Sequence, residues 1–180
     1  MKSLIGTCLV FLSIIGFLMG FRLIWERNNP QRLSLFPWSV TSLSKTSNTS
    51  IVIPQLSLRL PVVAGFISNG QWTTTGEGVS HLSSSAQLGK KGNSVLYGHN
   101  WPNLLGKLPS IKPGDKVMIE TPTKTLVYTV YYTAEVKPSD TSILAKTTDE
   151  RITLYTCSGF FDEKRFVVTA ILDQKPLLGG

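Results

Sequence analysis

From residue 51 onward the chain alternates apolar and polar positions in short runs broken by Gly, Pro and Asp. Leu56, Leu58 and Leu60 alternate with Ser57 and Arg59, the two-residue period of a strand that buries one face. Further strands are predicted over residues 62–67, 94–97, 116–120, 126–136, 152–156 and 166–172; the stretch 126–136, rich in Val, Tyr and Thr, carries the strongest β signal. Lys112-Pro113-Gly114-Asp115 reads as a turn between two of them. Helical signals are brief: residues 100–108 with Pro102 in the first turn, and a turn through Leu144 that Asp140 caps. About seven or eight strands in this length predict an all-β fold, a closed or nearly closed barrel with short helices rather than an alternating α/β sheet.

The first residues follow a different pattern. Residues 3–21 contain no charge and are dominated by Leu, Ile, Val, Phe and Met, a run of bilayer length. It ends in Phe21, Arg22, Leu23, Ile24 and Trp25 rather than in a small-residue cleavage site, so a retained transmembrane helix is expected over a removed signal peptide. Lys2 flanks one side and Arg22 and Arg27 the other, so charge leaves its orientation open. Eight of the twelve residues 39–50 are Ser or Thr. Such a segment buries too little apolar area to fold alone, and as a flexible chain residues 28–50 reach roughly 25 Å. The expected organisation is an anchor with its flanks over residues 1–27, a linker over 28–50 and one domain over 51–180, a length that suits a single core.

Charge adds little to this picture. The net +7 divides into five Lys/Arg against one Glu in residues 1–50, and thirteen Lys/Arg against ten Asp/Glu in the remainder. A domain of +3 without a dense basic stripe or a reading motif argues against nucleic-acid binding, and the basic surplus beside the apolar run suits anionic headgroups. No spacing suggests a metal site, since Glu77, Asp115 and Glu120 are scattered carboxylates, and no cofactor is implied.

Candidate chemistry gathers in three places. Residues 153–157 form an apolar strand ending on Cys157, with Ser158 and Gly159 leaving room beyond it. Residues 95–99 form another that delivers His99 through Gly98. Arg165 opens a third strand just after the loop that follows Cys157; if the two strands are antiparallel neighbours, Cys157 and Arg165 sit side by side. Cys8 falls within the expected span and reads as a small apolar residue there, so no internal disulfide is expected and Cys157 is a lone thiol. Taken singly, each of the three has a plain structural reading: a core cysteine, a satisfied histidine, a solvated arginine. Their joint placement at strand ends favours a reactive centre.

Thr153-Leu154-Tyr155-Thr156-Cys157 resembles the Thr-Leu-x-Thr-Cys signature of sortases, and Tyr97-Gly98-His99 is similar to their Gly-His segment. Arg165 falls where their strand-borne arginine is expected, Gly89 to Asn93 resembles their Gly-x-x-Gly-Asn turn, and Ile53-Pro54-Gln55-Leu56 with Leu60-Pro61-Val62 is similar to their opening strand. The resemblance implies a sortase-type barrel and a cysteine transpeptidase. Such an enzyme cleaves a sorting signal of the Leu-Pro-x-Thr-Gly type on an exported protein and transfers the acyl group to an amine, on a peptidoglycan precursor or a pilin lysine. Cys157 would carry the thioacyl intermediate, His99 would move the proton, Arg165 would stabilise the oxyanion, and Thr156 would contact substrate. It also implies a single-pass membrane protein with its catalytic domain outside the cytoplasm. Two alternatives stand beside it: a cysteine peptidase that hydrolyses the same kind of intermediate, and a non-catalytic exported peptide-binding β domain. Segments 65–89 and 158–164 neighbour the candidate residues and are expected to line the substrate groove, and His81 is expected to be structural.

Overall fold

The computed structural model describes residues 11–22, 48–68 and 71–173. Among the described residues ten strands are formed: β1 (Ser50–Ile53), β2 (Leu58–Gly65), β3 (Ile67–Ser68), β4 (Gln71–Trp72), β5 (Val79–Leu82), β6 (Gly92–Gly98), β7 (Lys116–Glu120), β8 (Thr125–Val136), β9 (Glu150–Ser158) and β10 (Lys164–Leu172). Eight of them close into a barrel in the order β1-β2-β5-β6-β9-β10-β8-β7, and β3 and β4 form a separate two-stranded hairpin. The alternation in the sequence accounts for the closure. One set of side chains, among them Ile51, Ile53, Leu96, Ile119, Ile152, Leu154 and Val168, points inward and is fully buried. Closure joins β1 to both β2 and β7, which leaves the barrel no free edge.

Six of the eight neighbour pairs are antiparallel; β2–β5 and β6–β9 are parallel. Parallel neighbours need a long crossover. The one from β2 to β5 contains the β3–β4 hairpin, and the one from β6 to β9 contains β7, β8 and the segment 137–149. These excursions build a second layer. The outward side chains Leu82, Val95 and Tyr97 are buried under Trp72 from the hairpin and Leu144 from segment 137–149, with Tyr155 alongside. Trp72 meets Tyr97 edge to face with ring centroids 4.7 Å apart and stacks on Tyr155 at 5.8 Å. β5, β6 and β9 are therefore covered on both faces, which is why β6 reads as an almost unbroken buried run rather than an alternating one.

Several local expectations change. Leu56 is not in a strand: Pro54–Leu56 makes one turn of 3-10 helix and Ser57 adopts a left-handed φ of 50°, so the strand starts at Leu58, although Leu56, Leu58 and Leu60 are all buried as the alternation requires. β1 and β5, four residues each, are additions to the predicted set. The helix expected over 100–108 is displaced to Leu105–Ser110, because residues 99–106 turn back on themselves: Leu104 and Gly106 N–H groups both bond the Trp101 carbonyl, and Leu105 N–H bonds that of His99. Asp140 accepts from the backbone N–H and the hydroxyl of Ser142 at the start of the short helix Ser142–Leu144. The Lys112-Asp115 turn forms with Gly114 at φ 96°.

The chain divides into two units, residues 1–43 and 44–180. In the first, residues 11–22 are helical, with Phe11, Leu12, Phe17 and Leu18 exposed. Among the described residues no helix is long and apolar enough to cross a membrane. The expected span begins at residue 3, outside the described residues, and the expected linker lies outside them as far as residue 47.

Candidate active site

β6 and β9 run parallel with Gly98 opposite Thr156, and the Thr156 hydroxyl donates to the Gly98 carbonyl at 2.9 Å. The residues that follow each strand's last pair are His99 and Cys157, so the two chains deliver them side by side at the same end of the barrel. On the other flank of β9, the antiparallel register sets Arg165 directly opposite Cys157. The three sequence-predicted residues converge on one cavity of about 270 Å³, whose walls include Trp72, Tyr155 and Pro138. The fourth, Thr156, also lines this cavity, although it is 1 % exposed and its hydroxyl is given to Gly98. In this structure it ties β6 to β9, which fixes the spacing of their ends.

Each side chain is held. The His99 ring stacks flat on Trp101, centroids 4.3 Å apart at an interplanar angle of 7°, and its carbonyl is bonded by Leu105. One terminal nitrogen of Arg165 donates to the carbonyls of Asp162 at 2.7 Å and Lys164 at 2.8 Å. The short β9–β10 connection turns through Gly159 (φ 80°) and Asp162 (φ 59°), left-handed conformations that aim the Asp162 carbonyl at Arg165. The carboxylate of Asp162 in turn accepts from Asn100 Nδ2 at 2.9 Å, so the loop after His99 is fastened to the loop after Cys157.

Burial pushes the Cys157 thiol above its ordinary value; the nearby Arg165 charge draws it back down and the Asp162 carboxylate adds to the rise. Burial likewise lowers the His99 imidazole, against an upward pull from Asp162. At neutral pH the free protein therefore holds a neutral thiol beside a neutral imidazole, one a proton donor and the other a proton acceptor. A carbonyl entering this cavity would meet a nucleophile, a base and a cation within one wall.

Of the two segments expected to line the groove, 65–89 supplies Trp72 and Thr74, while in place of 158–164 the wall is made by Arg165 just beyond it and by Pro138. Tyr155, Tyr97 and Pro138 were not singled out from the sequence. For the tyrosines the signal was present: residues 153, 155 and 157 share one face of a strand, so whatever surrounds Cys157 must include Tyr155. His81 lies apart from the site with Nε2 2.9 Å from the Ala86 carbonyl, a structural partner. Among the described residues no three or more His, Cys, Asp or Glu side chains gather as a metal site would require.

Residues 51–173 match the family model described as "Sortase domain". The chain is 31 % identical over 132 residues to Sortase A of Listeria monocytogenes, an alignment covering 69 % of this chain and 56 % of that protein. It is also 31 % identical over 126 residues to Sortase A of Bacillus anthracis, covering 68 % and 58 % respectively. The chain thus spans less than two thirds of the length of these relatives. Among solved structures it superposes on the lid mutant of Sortase A from Corynebacterium diphtheriae with a TM-score of 0.63 and 31 % identity, covering 72 % of each chain.

Proposed function

The chain belongs to the sortase family, and from that premise we propose that it is a cysteine transpeptidase that cleaves a sorting-signal peptide of an exported protein and passes the acyl group to an amine. The observation that carries the reading is the register: Cys157 between His99 on the parallel neighbour strand and Arg165 on the antiparallel one, all facing one cavity.

The roles follow from the charges each group holds at rest. As a peptide carbonyl settles beside Cys157, the thiol proton passes to His99 while sulfur bonds to the carbonyl carbon, so the poorly nucleophilic neutral thiol is spent only when the substrate is in place. Negative charge grows on the carbonyl oxygen. Arg165 is permanently cationic and clamped by two carbonyls, so it meets that charge without having to reorganise. The C–N bond then breaks, His99 returns its proton to the departing amine, and a thioester remains on Cys157. An incoming amine gives a proton to His99 and attacks the thioester carbonyl, the C–S bond breaks, and His99 passes the proton to the departing Cys157 sulfur. The same imidazole serves in both halves because stacking on Trp101 fixes its plane. Sorting signals of the Leu-Pro-x-Thr-Gly type are the proposed donors, and an amine of a peptidoglycan precursor or a pilin lysine the proposed acceptor. A single membrane anchor in the N-terminal unit with the barrel outside the cytoplasm is the setting this chemistry needs.

Mass spectrometry of the purified chain, incubated with a library of sorting-type peptides and triglycine, tests the reading. A thioacyl adduct on Cys157 and a triglycine-capped peptide, both missing from Cys157→Ala, are expected. Hydrolysis without amine capture would make the protein a peptidase, and peptide binding without any adduct would make it a binding module.

A further inference from the structure

His99 leaves β6 with its ring lying flat on Trp101, two residues further along, at 4.3 Å between centroids and 7° between planes. The turn after β6 builds this stack. The Trp101 carbonyl accepts from the N–H groups of Leu104 and Gly106, both at 2.9 Å, while that of His99 accepts from Leu105. Gly106 lets the turn close, since a Cβ there would stand 2.6 Å from the carbonyl oxygens of Asn100 and Trp101. The indole is also held from outside the turn. It packs against the barrel core, and the edge of its six-membered ring lies 3.4 Å from where a Cβ of Gly76 would be. His99 is therefore laid on a half-buried π surface that its own backbone and its neighbours keep in place.

We propose that Trp101 is a positioning residue with an electrostatic part in the reaction: its indole face stabilises the imidazolium that forms when His99 takes the Cys157 proton. The inference rests on the transpeptidase reading, which supplies that step. The face of an indole carries negative potential, and a cation within about 6 Å of the ring centroid is attracted to it, most strongly where water is excluded. A neutral imidazole gains little from the same face, so the stack favours the charged form. The site needs such a group. In the tetrahedral adduct His99 and Arg165 are both cationic and meet a single oxyanion, and burial works against charge on the imidazole. The Asp162 carboxylate is one counterweight. Trp101 supplies another without setting a second full negative charge beside Cys157, where Asp162 already opposes ionisation. The other charges on the elements around the ring, Glu77, Lys107, Lys137, Glu163 and Lys164, are exposed and screened by solvent.

A smaller residue at 101 would change the burial of His99 together with its π contact, so the test keeps the shape. Tryptophans carrying one to four ring fluorines, incorporated at position 101 alone, withdraw charge from the face stepwise while nearly preserving the ring's volume. The chain has two histidines, and the C2–H resonance of each is titrated by NMR in the purified full chain, the one missing from His99→Gln being that of His99. The apparent pKa of His99 should fall in step with the number of fluorines, by about half a pH unit at full substitution, while that of His81 stays put. With the library peptide cleaved fastest, the acid limb of kcat/KM against pH should move down by the same interval. Its plateau should drop about two- to threefold as the base weakens, with KM unchanged. A His99 pKa that ignores fluorination, or rises with it, overturns the electrostatic role and leaves Trp101 a packing surface, with the transpeptidase reading intact. Failure of every library peptide to acylate Cys157 overturns that reading and the part of Trp101 in proton transfer with it, whatever the titration gives.

Discussion

At the scale of single residues, the site stores its reactivity as two neutral groups under one fixed cation. Cys157 is held as a thiol by burial, and Arg165 is the group that draws it back toward ionisation. The pH at which iodoacetamide alkylates Cys157 half-maximally should therefore lie on the alkaline side of an ordinary thiol. It should move further up in Arg165→Ala, where the stabilising charge is gone, and down in Asp162→Asn, where an opposing carboxylate is gone. Unchanged alkylation profiles in both variants would mean that neither charge reaches the sulfur. In turnover, Cys157→Ala should abolish both adduct and product while its circular dichroism stays that of the parent. Arg165→Lys should lower kcat by about a hundredfold or more, because a point ammonium cannot hold two carbonyls and face an oxyanion with the same planar fork. A kcat within a few-fold of the parent would remove Arg165 from the transition state. Asn100 has a quieter part: Asn100→Ala loses the tie to Asp162 and should raise the temperature dependence of kcat more than KM, since it aligns two loops rather than touching substrate.

At the scale of elements, the second layer over β5, β6 and β9 decides the shape of the catalytic cavity. Tyr97 donates its hydroxyl to the Thr73 carbonyl at 2.7 Å, which pins the hairpin segment bearing Trp72. Tyr97→Phe should cost about 1 kcal/mol in urea unfolding and raise KM, because Trp72 is then free to leave the wall; a stability loss with KM unmoved would show that the wall does not depend on that bond. Gly65 lies under the same hydroxyl, and a methyl there would sit 2.3 Å from Tyr97 Oη and 2.8 Å from Ser80 Cβ. Gly65→Ala should thus cost roughly 1–3 kcal/mol. The sequence reveals these elements unevenly, for physical reasons. β7 and β8 stand out because long alternation with β-branched and aromatic residues leaves no other reading, whereas β1 and β5 are four residues each, too short to show a period. Cys157, His99 and Arg165 were legible because each lies within one residue of a strand end, which limits where it can point. Trp72 and Pro138 were not, because they reach the cavity through crossovers whose path depends on how distant strands pair, and Thr156 gave no hint that its hydroxyl would bond the Gly98 carbonyl.

At the scale of the molecule, closure makes the eight strands depend on one another. Ile51 on β1 is fully buried where the barrel seals against β7, and Ile51→Ala should cost about 2–5 kcal/mol in denaturant unfolding with the midpoint, not the slope, carrying the change. A slope change would mean that the seam opens before the rest. The parallel pairing of β6 with β9 has a further consequence in time. The strand ends that carry His99 and Cys157 are 58 positions apart in the chain, and between them lie β7, β8 and their turns. Closing so long a loop is slow, and its entropy is recovered only when the whole seam zips. Until β6 pairs with β9, Cys157 has the cation that the short β9–β10 connection sets opposite it but not the base that β6 delivers. A chain that stalls before this long-range pairing therefore holds a thiol with no base beside it, so the local hairpin alone does not make a reactive centre.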